Sequence, residues 1–255
     1  MLSAPATHLL RASVLASLGL LFYSKIANGT LSYYINLRFA WLSLLAAGLF
    51  ILLALSAVWN GLAMRQQVEI PRASAIGVPL WLSAKQRAWR LSVLGWGVLL
   101  LPLLFGVLVP ARPLGAGAVQ ARGISRFAPE RSVTTTLVQR QPSNILDWLR
   151  EFARSADPAA FSGKVVDVTG FVYRDPRNRK EEFWVSRFVV SCCVADAAAI
   201  GLLVRTDQAA TWATDMWVRV RGRFGVTEFA GERIPIILAE EVHEIEPPSE
   251  PYLYP

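Results

Sequence analysis

The two cysteines of the chain are neighbours, Cys192 and Cys193, and they end the apolar run of "SRFVVSCCVADA". Asp196 follows three residues later, and His243 is the second of two histidines. Thiolate, carboxylate and imidazole groups are the ligands that zinc and other thiophilic metals take, so these four residues predict a metal site. Neighbours on a regular strand point to opposite faces, and both sulfurs therefore reach one ion only if the strand ends at Ser191.

Two other interpretations of the cysteine pair stay open. Consecutive Cα atoms lie about 3.8 Å apart, so a disulfide between Cys192 and Cys193 would be strained and easily reduced, as a redox switch requires. Cysteine also behaves as a small buried hydrophobic residue, which gives a purely structural interpretation. In the metal interpretation, Arg187 is a candidate supporting residue that orients Asp196 through a bidentate pair.

Motifs of common enzymes are absent from the sequence, which contains no Gly-rich phosphate loop, nucleophile elbow or HExxH pattern. We therefore predict no catalytic residues. Four aromatic residues could form a stacking platform for bases, which makes an oligonucleotide-binding module a further alternative. They are Trp184, Phe188, Trp212 and Trp217. Residues 132–255 hold fourteen basic and seventeen acidic side chains, so no nucleic acid is expected to bind there. A place in the core is therefore favoured for the four aromatic residues.

Long uncharged runs in the first half predict membrane-spanning helices. Residues 91–109 and 39–64 are uncharged, and the nineteen residues of the first run extend about 28 Å as a helix. A shorter run lies between Arg11 and Lys25, whose side chains must extend toward lipid headgroups. A cleaved signal peptide is the alternative for that run, but Lys25 stands where cleavage needs a small residue. The predicted membrane domain, residues 1–110, has spans at about 6–27, 39–60 and 90–110.

The distribution of charge predicts the orientation of these spans. The first 131 residues hold twelve basic and two acidic side chains, and five of the basic ones lie between the second and third spans. The positive-inside rule places that loop and the N-terminus in the cytoplasm. Three spans then place the C-terminal half outside the cytoplasm. Contact of these helices with membrane lipid follows from their composition.

The second half predicts a small all-β domain with short helices. Residues 111–142 are rich in Pro, Gly, Ala and Arg, which is typical of a juxtamembrane linker. "SNILDWLREFARSADP" predicts a helix capped by Ser143, and five strands follow in "GKVVDVTGFVYRD", "EEFWVSRFVVS", "AIGLLVR", "MWVRVRGRFGV" and "RIPIILAEEVHEIEP". Gly170 within the first strand suggests a bulge or bend. Residues 143–255 therefore predict an OB-fold-like five-stranded barrel, with a β-sandwich as the alternative.

Several of these segments together resemble a known family. "GKVVDVTGFVYRD", "VSRFVVSCCVADA", "WVRVRGRF" and the closing "PPSEPYLYP" are similar to the YcgQ-type family of bacterial membrane proteins, and the resemblance covers the whole chain. It implies a membrane-anchored protein that works beside a separate multi-span permease subunit, in the context of metal homeostasis. We therefore expect an accessory permease subunit whose outer domain presents or senses zinc or another thiophilic metal.

Overall fold

Two long apolar helices form the N-terminal part of the chain, α1 (Ala4–Ala27) and α2 (Ala40–Gln66). The computed structural model describes residues 4–66, 95, 97–98, 100–125, 143–155 and 157–255. Within those residues, both helices are long and apolar enough to cross a membrane. They coincide with the first and second predicted spans.

Helices α1 and α2 pack against each other through small and aromatic residues. Gly19 lies against α2 so closely that a Cβ there would be 3.0 Å from Ile51 Cδ1, and Phe22 stacks on Phe50 with ring centroids 5.8 Å apart. Close approach at small residues is how helices associate in lipid, where leucine gains nothing by leaving the surface. Leu20 and Leu52 accordingly stay about two-thirds exposed.

Helical backbone is also found in the third predicted span. Residues 100–108 are helical (α3), and all of their large apolar side chains except that of Leu103 are exposed. The start of this predicted span, residues 90–94, lies outside the described residues. Apolar surface of this extent is unusual for a protein surrounded by water.

A second compact unit combines Arg112–Pro255 with Ser32–Leu37, the segment that joins α1 to α2 and is called here the interhelical loop. It contains two short helices, α4 (Ala116–Arg122) and α5 (Ile145–Ala153). Its strands are β1 (Val165–Tyr173), β2 (Glu182–Val189), β3 (Ala198–Arg205), β4 (Trp217–Phe229), β5 (Glu232–Glu244) and β6 (Tyr252–Leu253).

The six strands form one sheet in the order β1-β4-β5-β3-β2-β6, in which β1 also pairs with β2. The pairings of the first five strands thus lead from β1 back to β1. All of these pairs are antiparallel except β3 with β5, and β6 runs parallel to the end of β2. The prediction of apolar helices followed by a β domain is confirmed, with six strands where the sequence predicts five. The barrel and the OB-fold stay predictions.

Strand β2 is buried along its whole length, which explains why apolar residues occupy both of its faces. Phe183 and Val185 belong to one core cluster, together with α5, while Trp184 and Phe188 belong to a second, together with α4. A strand covered on both faces loses the alternation of polar and apolar residues that a half-exposed strand shows. Strand β4 keeps that alternation. Arg219, Arg221 and Arg223 are exposed, and the residues between them are buried.

Three local features differ from the sequence-based expectation. The cap of α5 is Asn144, whose side chain accepts a hydrogen bond from the N–H of Asp147 at 3.0 Å, and not Ser143. Helix α4 lies in the predicted linker. The irregular pairing falls at Arg221 and Gly222 in β4 rather than in β1, where Gly170 instead allows close contact with Ser186.

Gly222 at this irregularity provides a test of the sheet geometry. A Cβ there would lie 2.2 Å from the carbonyl oxygen of Leu238, whereas a Cβ at Gly225 would meet only the Leu238 side chain at 3.1 Å. A main-chain atom in a paired strand cannot move away cheaply, so we expect Gly222→Ala to lower the free energy of unfolding by about 1–3 kcal/mol. The matched variant Gly225→Ala should stay within about 1 kcal/mol of the parent. Denaturant unfolding of the full chain in detergent measures both, and equal effects would contradict the register.

Candidate functional site

The two cysteines lie in a tight turn after β2, residues 191–196, called here the dithiol turn. The carboxylate of Asp196 accepts hydrogen bonds from the main-chain N–H of Ser191 at 3.0 Å and of Cys192 at 2.7 Å. A short 3-10 helix, Val194–Asp196, completes the turn. Asp196 therefore satisfies main-chain donors that lose their partners where β2 ends, as a helix-capping side chain does.

The turn brings both sulfur atoms to one side. Cys192 Sγ lies 3.7 Å from Cys193 Sγ, and both cysteines are free, Cys192 exposed and Cys193 half-buried. The geometric condition set by the sequence is met, because β2 ends at Val189 and the pair follows it. The purely structural interpretation treats the cysteines as small buried hydrophobic residues, whereas neither cysteine is fully buried.

The electrostatics of the turn favour the protonated thiol at Cys192. Its hydrogen bond to the Asp196 carboxylate is the largest contribution, and contact with Cys193 adds to it, raising the pKa of Cys192 to about 11. Partial burial by itself raises the pKa of Asp196, but donation from the Cys192 thiol and from main-chain N–H groups brings that pKa below its usual value. The turn therefore carries a carboxylate beside a neutral thiol near pH 7.

The interhelical loop holds the outer side of the dithiol turn through main-chain pairing. The N–H of Asn36 donates to the carbonyl of Cys192 at 3.0 Å, and the N–H of Val194 donates to the carbonyl of Tyr34 at 2.9 Å. These bonds flank a bridge between Ile35 and Cys193. The Asn36 side chain, which is buried, also donates to the carbonyl of Ser191 at 3.0 Å. The turn is thus paired with a segment more than 150 residues earlier.

Helix α4 and residues 250–254, the C-terminal tail, contact the same region. Arg122 of α4 donates to the carbonyls of Val194 at 3.0 Å and Ala197 at 2.8 Å. The Tyr252 hydroxyl accepts from the N–H of Leu114 at 2.8 Å and donates to the carbonyl of Tyr33 at 3.2 Å. Three segments that are far apart in sequence therefore meet around the turn.

The remaining predicted site residues lie elsewhere. His243 is exposed on β5, with its Nε2 3.6 Å from a carboxylate oxygen of Glu241. Arg187 is buried and donates to the main-chain carbonyls of Glu250 and Pro251, so it anchors the C-terminal tail rather than orienting Asp196. Burial lowers the pKa of Arg187 to about 10. In the part of the chain that the structure describes, no group of three or more His, Cys, Asp or Glu side chains is arranged to hold a metal ion.

The features that suggested an oligonucleotide site have structural partners. Trp184 and Phe188 are 1% exposed, Trp217 is 7% exposed, and Trp212 packs against the core. The exposed arginines of β4 pair with acidic side chains, of which the bidentate contact between Arg219 and Asp167 is the closest, at 2.7 and 2.8 Å. Such pairs neutralise the charge that phosphate groups would need.

An apolar cavity of about 430 Å³ lies between α5 and strands β3 and β5. Pairing between those strands covers only Leu203–Arg205 in β3, so their earlier residues diverge and leave space. Phe152, Phe161 and Leu202 contribute to the apolar lining. None of the lining residues belongs to the dithiol turn, so the two features are distinct.

Two apolar helices are followed by a β-sheet domain, which carries one exposed and one half-buried thiol after a buried strand. These features are those of a membrane-associated protein with one small sheet domain. The chain belongs to the DUF1980 family: residues 10–125 match the DUF1980 N-terminal domain and residues 128–255 match the DUF1980 C-terminal domain. The resemblance to the YcgQ-type family is thereby confirmed.

Two relatives align with nearly the whole chain. The UPF0703 protein YcgQ of Bacillus subtilis (strain 168) is 23% identical over 282 positions, which cover 96% of this chain and 98% of that protein. A protein of Streptococcus mutans serotype c (strain ATCC 700610 / UA159), named "Putative two-component membrane permease complex subunit", is 21% identical over 269 positions, covering 89% and 92%. This chain is therefore similar to both over its helices and its β domain.

Sequence reasoning missed the interhelical loop, the C-terminal tail and α4 as parts of the site. The loop reads "SYYINL", and its Asn36 was one available signal, because a short polar side chain between two apolar helices needs a partner. Nothing in the local sequence identifies that partner as the end of β2.

We predict that removing the charge of Asp196 activates Cys192. In Asp196→Asn the thiol loses the neighbouring carboxylate that raises its pKa to about 11, so the pKa falls toward the ordinary value of 9.0. At pH 8 the thiolate fraction then rises by up to about a hundredfold. Because nucleophilicity falls with pKa, the alkylation rate should rise by about tenfold.

The measurement is iodoacetamide labelling of Cys192 in the full chain, followed by mass spectrometry. Asp207→Asn, which removes an exposed carboxylate outside the turn, is the matched control and should label at the parental rate. Equal rates in Asp196→Asn and the parent would show that the carboxylate does not govern the thiol.

Proposed function

We propose that this chain is a membrane-anchored accessory subunit of a two-component permease complex, and that it acts without catalysing a reaction of its own. The Streptococcus mutans relative, which aligns with most of the chain, is named as a subunit of such a complex, and this supports membership in one. The sequences of α1 and α2 contain no Asp or Glu. Since intramembrane carboxylates mark proton and cation pathways, the transport path is assigned to a separate multi-span partner.

The observation that carries this proposal is the main-chain pairing between the interhelical loop and the dithiol turn. Tyr34 and Asn36 bond to Val194 and Cys192 across distances of 2.9 and 3.0 Å. The segment that connects α1 to α2 is therefore part of the β domain itself. This continuity along the chain supports a β domain that belongs to a membrane-anchored protein, as an accessory subunit of a permease should have.

The same pairing supports the proposed topology. If α1 and α2 span the membrane, the interhelical loop lies on one side, and the β domain that bonds to it must lie on that side too. Leu37 and Arg112 are then separated by two crossings, α2 and the predicted span at 90–110. Two crossings return the chain to the side from which it started. Combined with the basic loop between those segments, this supports a multi-pass protein of the bacterial cell membrane with an extracytoplasmic β domain.

We further propose that the sheet is an OB-fold-like barrel. Support comes from the cyclic pairing of its first five strands, with β3 and β5 parallel and a short 3-10 helix, Ala209–Thr211, between β3 and β4. In this arrangement the dithiol turn is the loop between β2 and β3. We propose that this loop presents or senses a thiophilic metal ion such as zinc. A vicinal-dithiol redox switch is the alternative function of the same residues, and oligonucleotide binding the second.

Association with a permease subunit is tested by purification from the native membrane. The tagged full chain, extracted in mild detergent, should retain one multi-span membrane protein in a fixed ratio, identified by mass spectrometry. A matched preparation of an unrelated two-helix membrane protein with the same tag controls for adhesion of apolar helices. Recovery of this chain with no multi-span protein beyond that control would contradict the proposal.

The topology is tested with a thiol reagent that cannot cross membranes. In a Cys192→Ser/Cys193→Ser background, Asn28→Cys and Ser249→Cys place single exposed thiols beside the interhelical loop and near the C-terminal tail. We expect both thiols to be labelled in intact cells, because both lie outside the cytoplasm. If only one thiol is labelled, the interhelical loop and the β domain do not lie on the same side of the membrane. If neither is labelled before permeabilisation, both lie in the cytoplasm and the proposed orientation is wrong.

A further inference from the structure

The separation of the two sulfur atoms is close to that of two thiolate ligands bound to one metal ion. Two thiolates bound to one tetrahedral zinc ion, each with a bond of about 2.3 Å, lie about 3.8 Å apart. Cys192 Sγ and Cys193 Sγ are 3.7 Å apart in the dithiol turn. The pair therefore has the spacing of two ligands on one ion, which adjacent cysteines on a regular strand do not have.

The turn is also held in this shape before any ion binds. Asp196 bonds to the N–H groups of Ser191 and Cys192, and Asn36 bonds to the carbonyls of the same two residues. Arg122 fixes the carbonyl of Val194 on the far side. Ordering of the backbone, which flexible dithiols must undergo on binding, has thus already taken place.

This chain offers few further ligands at that position. The Asp196 oxygens accept main-chain hydrogen bonds at 2.7 and 3.0 Å, and His243 lies on β5 beside Glu241. Among the described residues no third metal-ligating side chain completes a cluster. A tetrahedral ion bound to both sulfurs would keep two positions for outside ligands, which distinguishes such a site from a closed structural zinc site.

From this geometry we propose that Cys192 and Cys193 form an open two-sulfur site for one thiophilic divalent cation, whose remaining positions are filled by water or by ligands of the partner subunit. On binding, the hydrated cation exchanges two waters for two sulfurs, and each thiol releases its proton to solvent. The product has two metal–sulfur bonds, and no electron is transferred. The inference deepens the proposed function, because an ion held by two ligands at an exposed turn can be handed to a docked protein.

The carboxylate of Asp196 adds a further attraction for a cation. Its oxygens accept the main-chain N–H bonds of Ser191 and Cys192, so a carboxylate is held within the turn that carries both sulfurs. A cation between the sulfurs would sit beside this charge without breaking the hydrogen bonds that hold the turn. Asp196 is thus a positioning residue for the pair.

The test uses the reduced full chain in detergent, with Cd²⁺ as the probe. We expect one Cd²⁺ per chain by equilibrium dialysis, with a sulfur-to-cadmium charge-transfer band in the ultraviolet, and displacement by Zn²⁺. Cys192→Ser and Cys193→Ser should each raise the Kd at least about a hundredfold, since loss of even an outer-shell partner costs about ten- to a hundredfold. His243→Asn, which removes an exposed side chain outside the turn, should bind as the parent does.

A rearranged variant tests the spacing itself. Cys193→Ser/Val194→Cys keeps two thiols in the turn but changes their separation, and we expect weaker binding and loss of the charge-transfer band. Thermal unfolding of each variant without metal shows whether the fold is kept, and a variant that unfolds is replaced by the corresponding alanine substitution. Equal binding by the rearranged variant and the parent would overturn the proposed site, as would equal binding by Cys192→Ser/Cys193→Ser.

The experiment also separates this inference from the proposed function. Cys192→Ser/Cys193→Ser can be purified from native membranes in the same way as the parent. Retention of the multi-span partner with loss of Cd²⁺ binding supports both proposals, since docking does not require the thiols. Cd²⁺ binding by a chain that retains no partner overturns the accessory-subunit role and leaves the two-sulfur site in place.

Discussion

Strand β2 ends at Val189, and the main-chain groups of the turn that follows lose the partners that a continuing strand would give them. Asp196 provides acceptors for the N–H groups of Ser191 and Cys192, and the interhelical loop provides the acceptor for Val194. A typical hydrogen bond of this kind contributes about 0.5–1.5 kcal/mol to stability. The shape of the dithiol turn, the position of both sulfurs and the attachment of the loop all depend on this set of hydrogen bonds.

The periodic elements of the β domain are predictable because their pattern is local. Strand β4 alternates apolar residues with arginines, and α5 carries its apolar residues on one face, so both are evident from the sequence alone. An end of the strand at Ser191 was a condition for both sulfurs to reach one ion, and β2 ends two residues earlier, at Val189. The strand order, by contrast, depends on pairing between segments far apart, such as β3 with β5, which no local pattern specifies.

The parts of the site that sequence reasoning missed share one cause. Arg187 sits in an apolar run and suggests a carboxylate partner, but it donates to carbonyls of the C-terminal tail, because a main-chain oxygen carries no signature in a sequence. Asn36 bonds to a carbonyl 155 residues later for the same reason. The type of a side chain indicates which ions or charged groups it can bind, but not which main-chain group it will bond to. The contacts around the dithiol turn are mostly with main-chain groups.

The order in which the chain is synthesised gives the C-terminal tail a further importance. Tyr252 joins Leu114 to Tyr33, and the main chain of Leu253 accepts a hydrogen bond from Val190, so residues 250–254 complete contacts between segments made much earlier. The interhelical loop is synthesised about 155 residues before the turn to which it bonds. Assembly of the β domain is therefore a late event, and a chain that stops before residue 250 lacks the tail that pairs with β2 and bonds to the loop.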